Sequence, residues 1–325
     1  MSTRYQNPVF EGYFADPFVV TTPDGYVAVG TGTEREGKVF EVLRSDDLVH
    51  WTSLGGALQA PDPALGTDLW APELAFAEGR WWMYYSVGHG DVGHSLRVAV
   101  ADDVTGPYRD CGVDLTPDER FAIDPHPFED EDGTWYLYYA RDVLEGERVG
   151  TMLAVDVLTS MTELSGRPRA VLEPSGDWQI FRRGREMYGR TYDWHTLEGP
   201  FVRHRDGVYT LFYSGGNWEE PTYGVGHAVA DSPLGPWREP ADATPLLRTV
   251  PGHVLGPGHN SVVTAPDGTD LMVYHAWDAD RTARRMCIDP IEWTPHGPVV
   301  HGPTWEPAEF GGPLGARADA SAARS

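Results

Sequence analysis

An all-β fold is predicted: a five-bladed β-propeller with four-stranded antiparallel blades around a central channel. Two observations predict it. The 325 residues include 37 Gly and 27 Pro, which favours many short strands and turns over long helices. One strand–turn–strand layout also recurs five times along the chain.

The five segments are FADPFVVTTPDGYVAVGTG (14–32), LWAPELAFAEGRWWMYYSVG (69–88), AIDPHPFEDEDGTWYLYYAR (122–141), LEGPFVRHRDGVYTLFYSGG (197–216) and GPGHNSVVTAPDGTDLMVYHAW (256–277). Their turns read PDG, AEG, EDG, RDG and PDG, and a Gly between two apolar runs is a strong hairpin signal because it accepts positive φ. Each segment is followed by a second hairpin, clearest in the pair AVADDVTGPY and AVADSPLGPW. Four strands per unit, at a period of roughly 50–75 residues, is a propeller-blade signature. A sandwich or two separate β domains would not repeat the layout. One domain is expected over 1–306, with a flexible tail over 307–325, where Ala, Gly, Arg and Ser dominate. The longest gap between units, 172–196, reads as an insertion at the rim of the channel.

Composition narrows the partners. A net charge of −24 repels polyanions, so neither nucleic acid nor an anionic membrane is expected as a ligand. No apolar run is long enough for a membrane helix. The start, MSTRYQNPVFEGYF, lacks a basic stretch followed by an apolar core, which gives a cytoplasmic expectation. Cys111 and Cys287 have no metal-type spacing and are expected reduced. His89 and His94 lack zinc-site spacing, and no G-x-S-x-G or phosphate-binding glycine loop is present.

Counting nine residues back from each turn glycine gives Asp16, Trp70, Asp124, Glu198 and His259. These positions start the innermost strands, so their side chains are expected to converge at one end of the channel. Asp-Pro alone is a common strand entry. Three carboxylates gathered together are different, because burying like charges is costly unless something pairs or uses them. Acids beside aromatic platforms point to sugars. Glycoside hydrolysis needs one carboxyl as acid and another as base or nucleophile, and a third can hold the proton on the acid.

At these residues the chain resembles family 43 glycoside hydrolases, five-bladed propeller enzymes, over about residues 7–305. NPVFEGYFADPFV is similar to the motif carrying that family's catalytic base, which places the role on Asp16. AIDPHPFEDEDGTWYLYY is similar to the motif of its pKa-modulating acid, here Asp124, and EGPFVRHRDGVYTLFYS to that of its general acid, here Glu198. LWAPELAF and GPGHNSVV resemble the second- and fifth-blade motifs. The resemblance implies inversion at the anomeric carbon and no required cofactor. It also implies a structural calcium or other cation near His259 in parts of the family. Its substrates would be arabinose- or xylose-containing glycans, with α-L-arabinofuranosidase or arabinanase activity favoured over β-xylosidase. Arg284, Arg285 and His195 are further candidates for substrate binding, with Trp70 and His259. A retaining β-fructosidase and a non-catalytic glycan-binding propeller are the alternatives. The first motif lacks the Asn-Asp-Pro-Asn-Gly form usual in β-fructosidases, and none of the three acids is missing, as it would be in a mere binder.

Overall fold

The computed structural model describes residues 2–32, 36–241 and 243–311. Five antiparallel units surround a common axis in chain order. Blade 1 is built from Ala15–Thr22, Gly25–Thr31, Lys38–Ser45 and Thr52–Gln59. Blade 2 uses Asp68–Ala77, Arg80–His89, Val92–Ala101 and Arg109–Asp114. Blade 3 has Ala122–Glu129, Trp135–Val143 and Gly150–Ser160, with the short Arg169–Leu172 outside. Blade 4 has Arg190–Arg205, Val208–Gly215, Gly224–Ala230 and Leu247–Arg248. Blade 5 has Leu255–Thr264, Asp270–Trp277, Arg284–Thr294 and Gly297–Val300.

The middle strands are apolar on both faces because each blade is covered by its neighbours. Tyr84, Leu96, Leu137 and Ala154 pack between blades 2 and 3, and Val29, Phe40, Met83 and Tyr85 between blades 1 and 2. The ring is closed by Thr3–Tyr5 pairing with Ala308–Phe310. Within the stretch expected as tail, Ala308–Phe310 forms a strand, and residues 312–325 lie outside the described residues. Asp289 ties this closure to blade 5. Its buried carboxylate accepts from the hydroxyls of Tyr5 (2.8 Å), Tyr274 (2.7 Å) and Thr304 (2.7 Å).

The expected insertion is a hairpin, Ile180–Met187 returning through Tyr188–Gly189 into Arg190–Arg205. It extends the innermost strand of blade 4 and leans toward blades 2 and 3. The Arg185 guanidinium lies over the rings of Phe181 and Trp194 and pairs with Asp91 at 2.7 Å, and the Tyr188 hydroxyl donates to Asp142 at 2.7 Å.

Candidate active site

Each innermost strand carries a β-bulge near its start, where two residues face one on the neighbouring strand. The bulges open at Asp16-Pro17, Ala71-Pro72, Asp124-Pro125, Gly199-Pro200 and His259-Asn260. The first residue of each has left-handed φ: 52°, 47°, 58°, 55° and 50° in that order. For a non-glycine residue this costs about 1–2 kcal/mol, and such strain collects at functional sites. Four of the second residues are proline, which has no N–H for the bulge to leave unpaired.

The bulges correct the alignment counted from the turns. The equivalent residues are Asp16, Ala71, Asp124, Gly199 and His259, so Trp70 and Glu198 sit one residue earlier. In blades 2 and 4 the glycine is the second residue of a two-residue turn, Glu78–Gly79 and Asp206–Gly207, whereas in blade 1 it follows the two-residue turn Pro23–Asp24; the glycine of blades 2 and 4 therefore lies one position nearer the bulge than in the other blades. Trp70 pairs with Ser86 as Glu198 pairs with Ser214. The two therefore share a level adjacent to the one holding Asp16, Asp124 and His259.

The bulge N–H groups are satisfied by a relay that runs around the axis. Thr31 of blade 1 accepts from Ala71 of blade 2 (2.8 Å), and Ser86 of blade 2 from Asp124 of blade 3 (2.9 Å). Ser214 of blade 4 accepts from His259 of blade 5 (2.6 Å), and His275 of blade 5, through Nδ1, from Asp16 of blade 1 (3.1 Å). At the remaining junction the equivalent residue is Ala140, which cannot accept. There the N–H of Gly199 donates to Asp124 Oδ2 at 2.9 Å.

Asp16, Asp124 and His259 are all buried and converge: His259 Nδ1 lies 3.3 Å from Asp16 Oδ1 and 3.9 Å from Asp124 Oδ2. Arg284 Nη1 donates to Asp16 Oδ1 at 3.2 Å and Nη2 to the Tyr13 hydroxyl at 2.8 Å, while its guanidinium lies 4.5 Å from the ring centre of Trp218. Trp218 stacks in turn on Trp277. Burial alone would raise the Asp16 pKa. The Arg284 charge holds it well below the usual carboxylate range. Both histidines are biased to the neutral form by burial, His275 down to about 4.

The other two acids shift the opposite way. Burial pushes Glu198 up to about 7; the Tyr223 hydroxyl, donating to Oε1 at 2.5 Å, opposes the shift and the Asp16 charge adds to it. Asp124 is raised well above its ordinary value by burial, then by the charge of Glu198. Two adjacent carboxyls, one buried and one half-buried, cannot both ionise cheaply, so the pair keeps a proton. The Gly199 N–H can only donate, which biases the negative charge toward Asp124 and leaves the shared proton to Glu198.

Four remaining sequence candidates separate into two groups. Trp70 is half-buried beside this cluster and stacks on His94 with centroids 3.9 Å apart. Arg284 contacts Asp16 directly. Arg285, its neighbour on the strand, points the other way and pairs with Asp278 at 3.0 Å. The His195 Nδ1 faces the carbonyls of Asp193 (3.1 Å) and Val149 (3.4 Å), and its strand pairs in parallel with Gly150 of blade 3. It serves the junction between blades 3 and 4. Tyr223, His275, Tyr13 and Trp218 were not predicted. No residue-type spacing marks Tyr223, which reaches Glu198 because Gly258 leaves room; a Cβ there would lie 2.0 Å from the Tyr223 ring.

Among the described residues, no group of three or more His, Cys, Asp or Glu side chains is arranged to hold a metal ion. The carboxylates nearest His259 are engaged by Arg284 and by the Gly199 N–H.

A propeller that gathers two buried carboxyls and a half-buried third, of opposed protonation, at its axis has the architecture and site of a glycoside hydrolase. The chain belongs to family 43 of the glycosyl hydrolases, whose sequence profile matches residues 5–299. A beta-D-galactofuranosidase of Aspergillus niger is 29% identical, over 92% of this chain and 85% of that protein. An extracellular exo-alpha-(1->5)-L-arabinofuranosidase of Streptomyces avermitilis is 27% identical, over 89% of this chain and 59% of the relative. The crystal structure of a thermostable family-43 glycoside hydrolase superposes with a TM-score of 0.82 at 32% identity, over 94% of this chain and 98% of the other. The cytoplasmic expectation is overturned: relatives from Streptomyces avermitilis, Bacillus subtilis and Streptomyces chartreusis are named extracellular. The first residues of this sequence do not decide its compartment.

Proposed function

We propose that this glycoside hydrolase is an extracellular, inverting enzyme that releases furanosyl sugars, α-L-arabinofuranose foremost, from arabinose-containing glycans. The observation that carries the reading is the opposed protonation of Asp16 and Glu198. Asp16, held as an anion by Arg284, takes a proton from the water that attacks the anomeric carbon. Glu198, which keeps its proton to about pH 7, delivers it to the leaving oxygen. Asp124 holds negative charge beside Glu198 and sustains that proton. His259 orients Asp16 without entering the chemistry, and Trp70 offers its face to the sugar. No step runs through a metal.

β-D-Galactofuranose is the second reading, supported by the Aspergillus niger relative. The two sugars share ring size and ring configuration and differ by one exocyclic carbon. A panel of 4-nitrophenyl furanosides and xyloside beside linear arabinan separates these substrates, and NMR of the first-formed anomer tests inversion. Retention would remove Asp16 as the base, and turnover of the xyloside alone would remove the furanoside reading.

A further inference from the structure

We propose that Ala140 is a positioning residue: by withholding an acceptor at the junction of blades 3 and 4, it commits the Gly199 N–H to Asp124. In the other four junctions the equivalent side chain is Thr31, Ser86, Ser214 or His275, and each caps the bulge N–H of the next blade. Register fixes the equivalence. Thr31 pairs with Ala15, Ser86 with Trp70, Ala140 with Ile123, Ser214 with Glu198 and His275 with Gly258, always the last residue before the bulge. Ala140 is buried, so no bulk water can cap Gly199 from that side.

A buried N–H left unpaired is costly, so Gly199 needs a partner. The carboxylate of Asp124 is the partner it has, at 2.9 Å. The bond fixes the Asp124 side chain across the blade junction, immediately beside Glu198. It also favours the anion at Asp124 over the anion at Glu198. A hydroxyl at position 140 would take the N–H, as it does at Ser86 and Ser214, and Asp124 would lose both its tether and this bias. The catalytic consequence rests on the roles proposed above for Asp124 and Glu198, whereas the hydrogen-bond exchange does not.

The test is a cycle of four proteins: the unmodified enzyme, Ala140→Ser, Asp124→Ala, and both together. Ala140→Cys serves as a size control, because sulfur accepts weakly. Ala140→Ser should lower kcat on arabinan roughly tenfold, a part of the 10²–10⁴ that a general acid contributes. KM should stay within about twofold, and the alkaline limb of the pH profile should move to lower pH, since a less charged Asp124 holds the Glu198 proton less firmly. Ala140→Cys should lose far less. In the Asp124→Ala background, where the Gly199 N–H is orphaned, adding Ala140→Ser should raise Tm by roughly 2 °C. Equal losses in the Ser and Cys variants, or no rise in Tm in the double variant, would overturn the proposal. The melting measurement reads it even if no glycan in the panel is cleaved, so its failure is distinct from failure of the proposed function.

Discussion

At the scale of single residues, the three acids were legible because each lies at or beside an X-Pro pair that opens an inner strand. Arg284 could not be told from Arg285. Adjacent strand residues face opposite ways, and only the register of blade 5 decides which meets Asp16. Tyr223 was invisible because its contact with Glu198 spans 25 residues and depends on space at Gly258. These residues set the pH response. Activity should fall as pH rises through about 7, where Glu198 loses its proton. Tyr223→Phe removes a donor that lowers the Glu198 pKa, so the alkaline limb should move to higher pH; a limb that stays put or moves down would contradict the contact. Arg284→Met removes the charge that holds Asp16 low. Its acid limb should rise, with kcat falling by at least tenfold, and a steady-state pH profile reads both.

At the scale of elements, the hairpins were legible from their glycines, but their alignment was not. A glycine placed one residue earlier relative to the turn shifts the count, and a strand shifted by one residue presents different side chains. The bulges, not the turns, set the true alignment, and nothing in single-sequence patterning announces a bulge except the recurrent proline after it. The insertion at 172–196 was legible as an interruption; its hairpin form follows from Tyr188–Gly189 at the tip and from the ion pair between Arg185 and Asp91. Gly258→Ala should act through its neighbour. The new Cβ displaces the Tyr223 ring, costing about 1–3 kcal/mol of overpacking and lowering Tm. Its alkaline limb should shift in the same direction as that of Tyr223→Phe. A lower Tm with an unchanged pH profile would show that Tyr223 does not tune Glu198.

At the scale of the whole molecule, the five-fold repetition was enough to predict the propeller, but not how it closes. The closing strands Thr3–Tyr5 and Ala308–Phe310 are too short to stand out in sequence, and the second fell in a stretch read as tail. Asp289 shows why they hold: a buried carboxylate needs its donors, and Tyr5 brings one from the far end of the chain. Tyr5→Phe should therefore cost about 1–3 kcal/mol, seen as a lower Tm, with kcat at moderate temperature unchanged. A Tm equal to that of the unmodified enzyme would place the closure elsewhere.

Because those two strands lie side by side, the positions of the chain ends are a matter of gene order more than of architecture. A short linker joining Phe310 to Thr3 would make the backbone a circle. It could then be reopened at Glu78–Gly79, at the far end of an inner strand and roughly 20 Å from Ala71 and its bulge. Such a circular permutant should fold and keep its kcat, since every blade junction in the axial relay would still be made. The protein is in this sense a ring with an arbitrary seam, and its active site belongs to the ring.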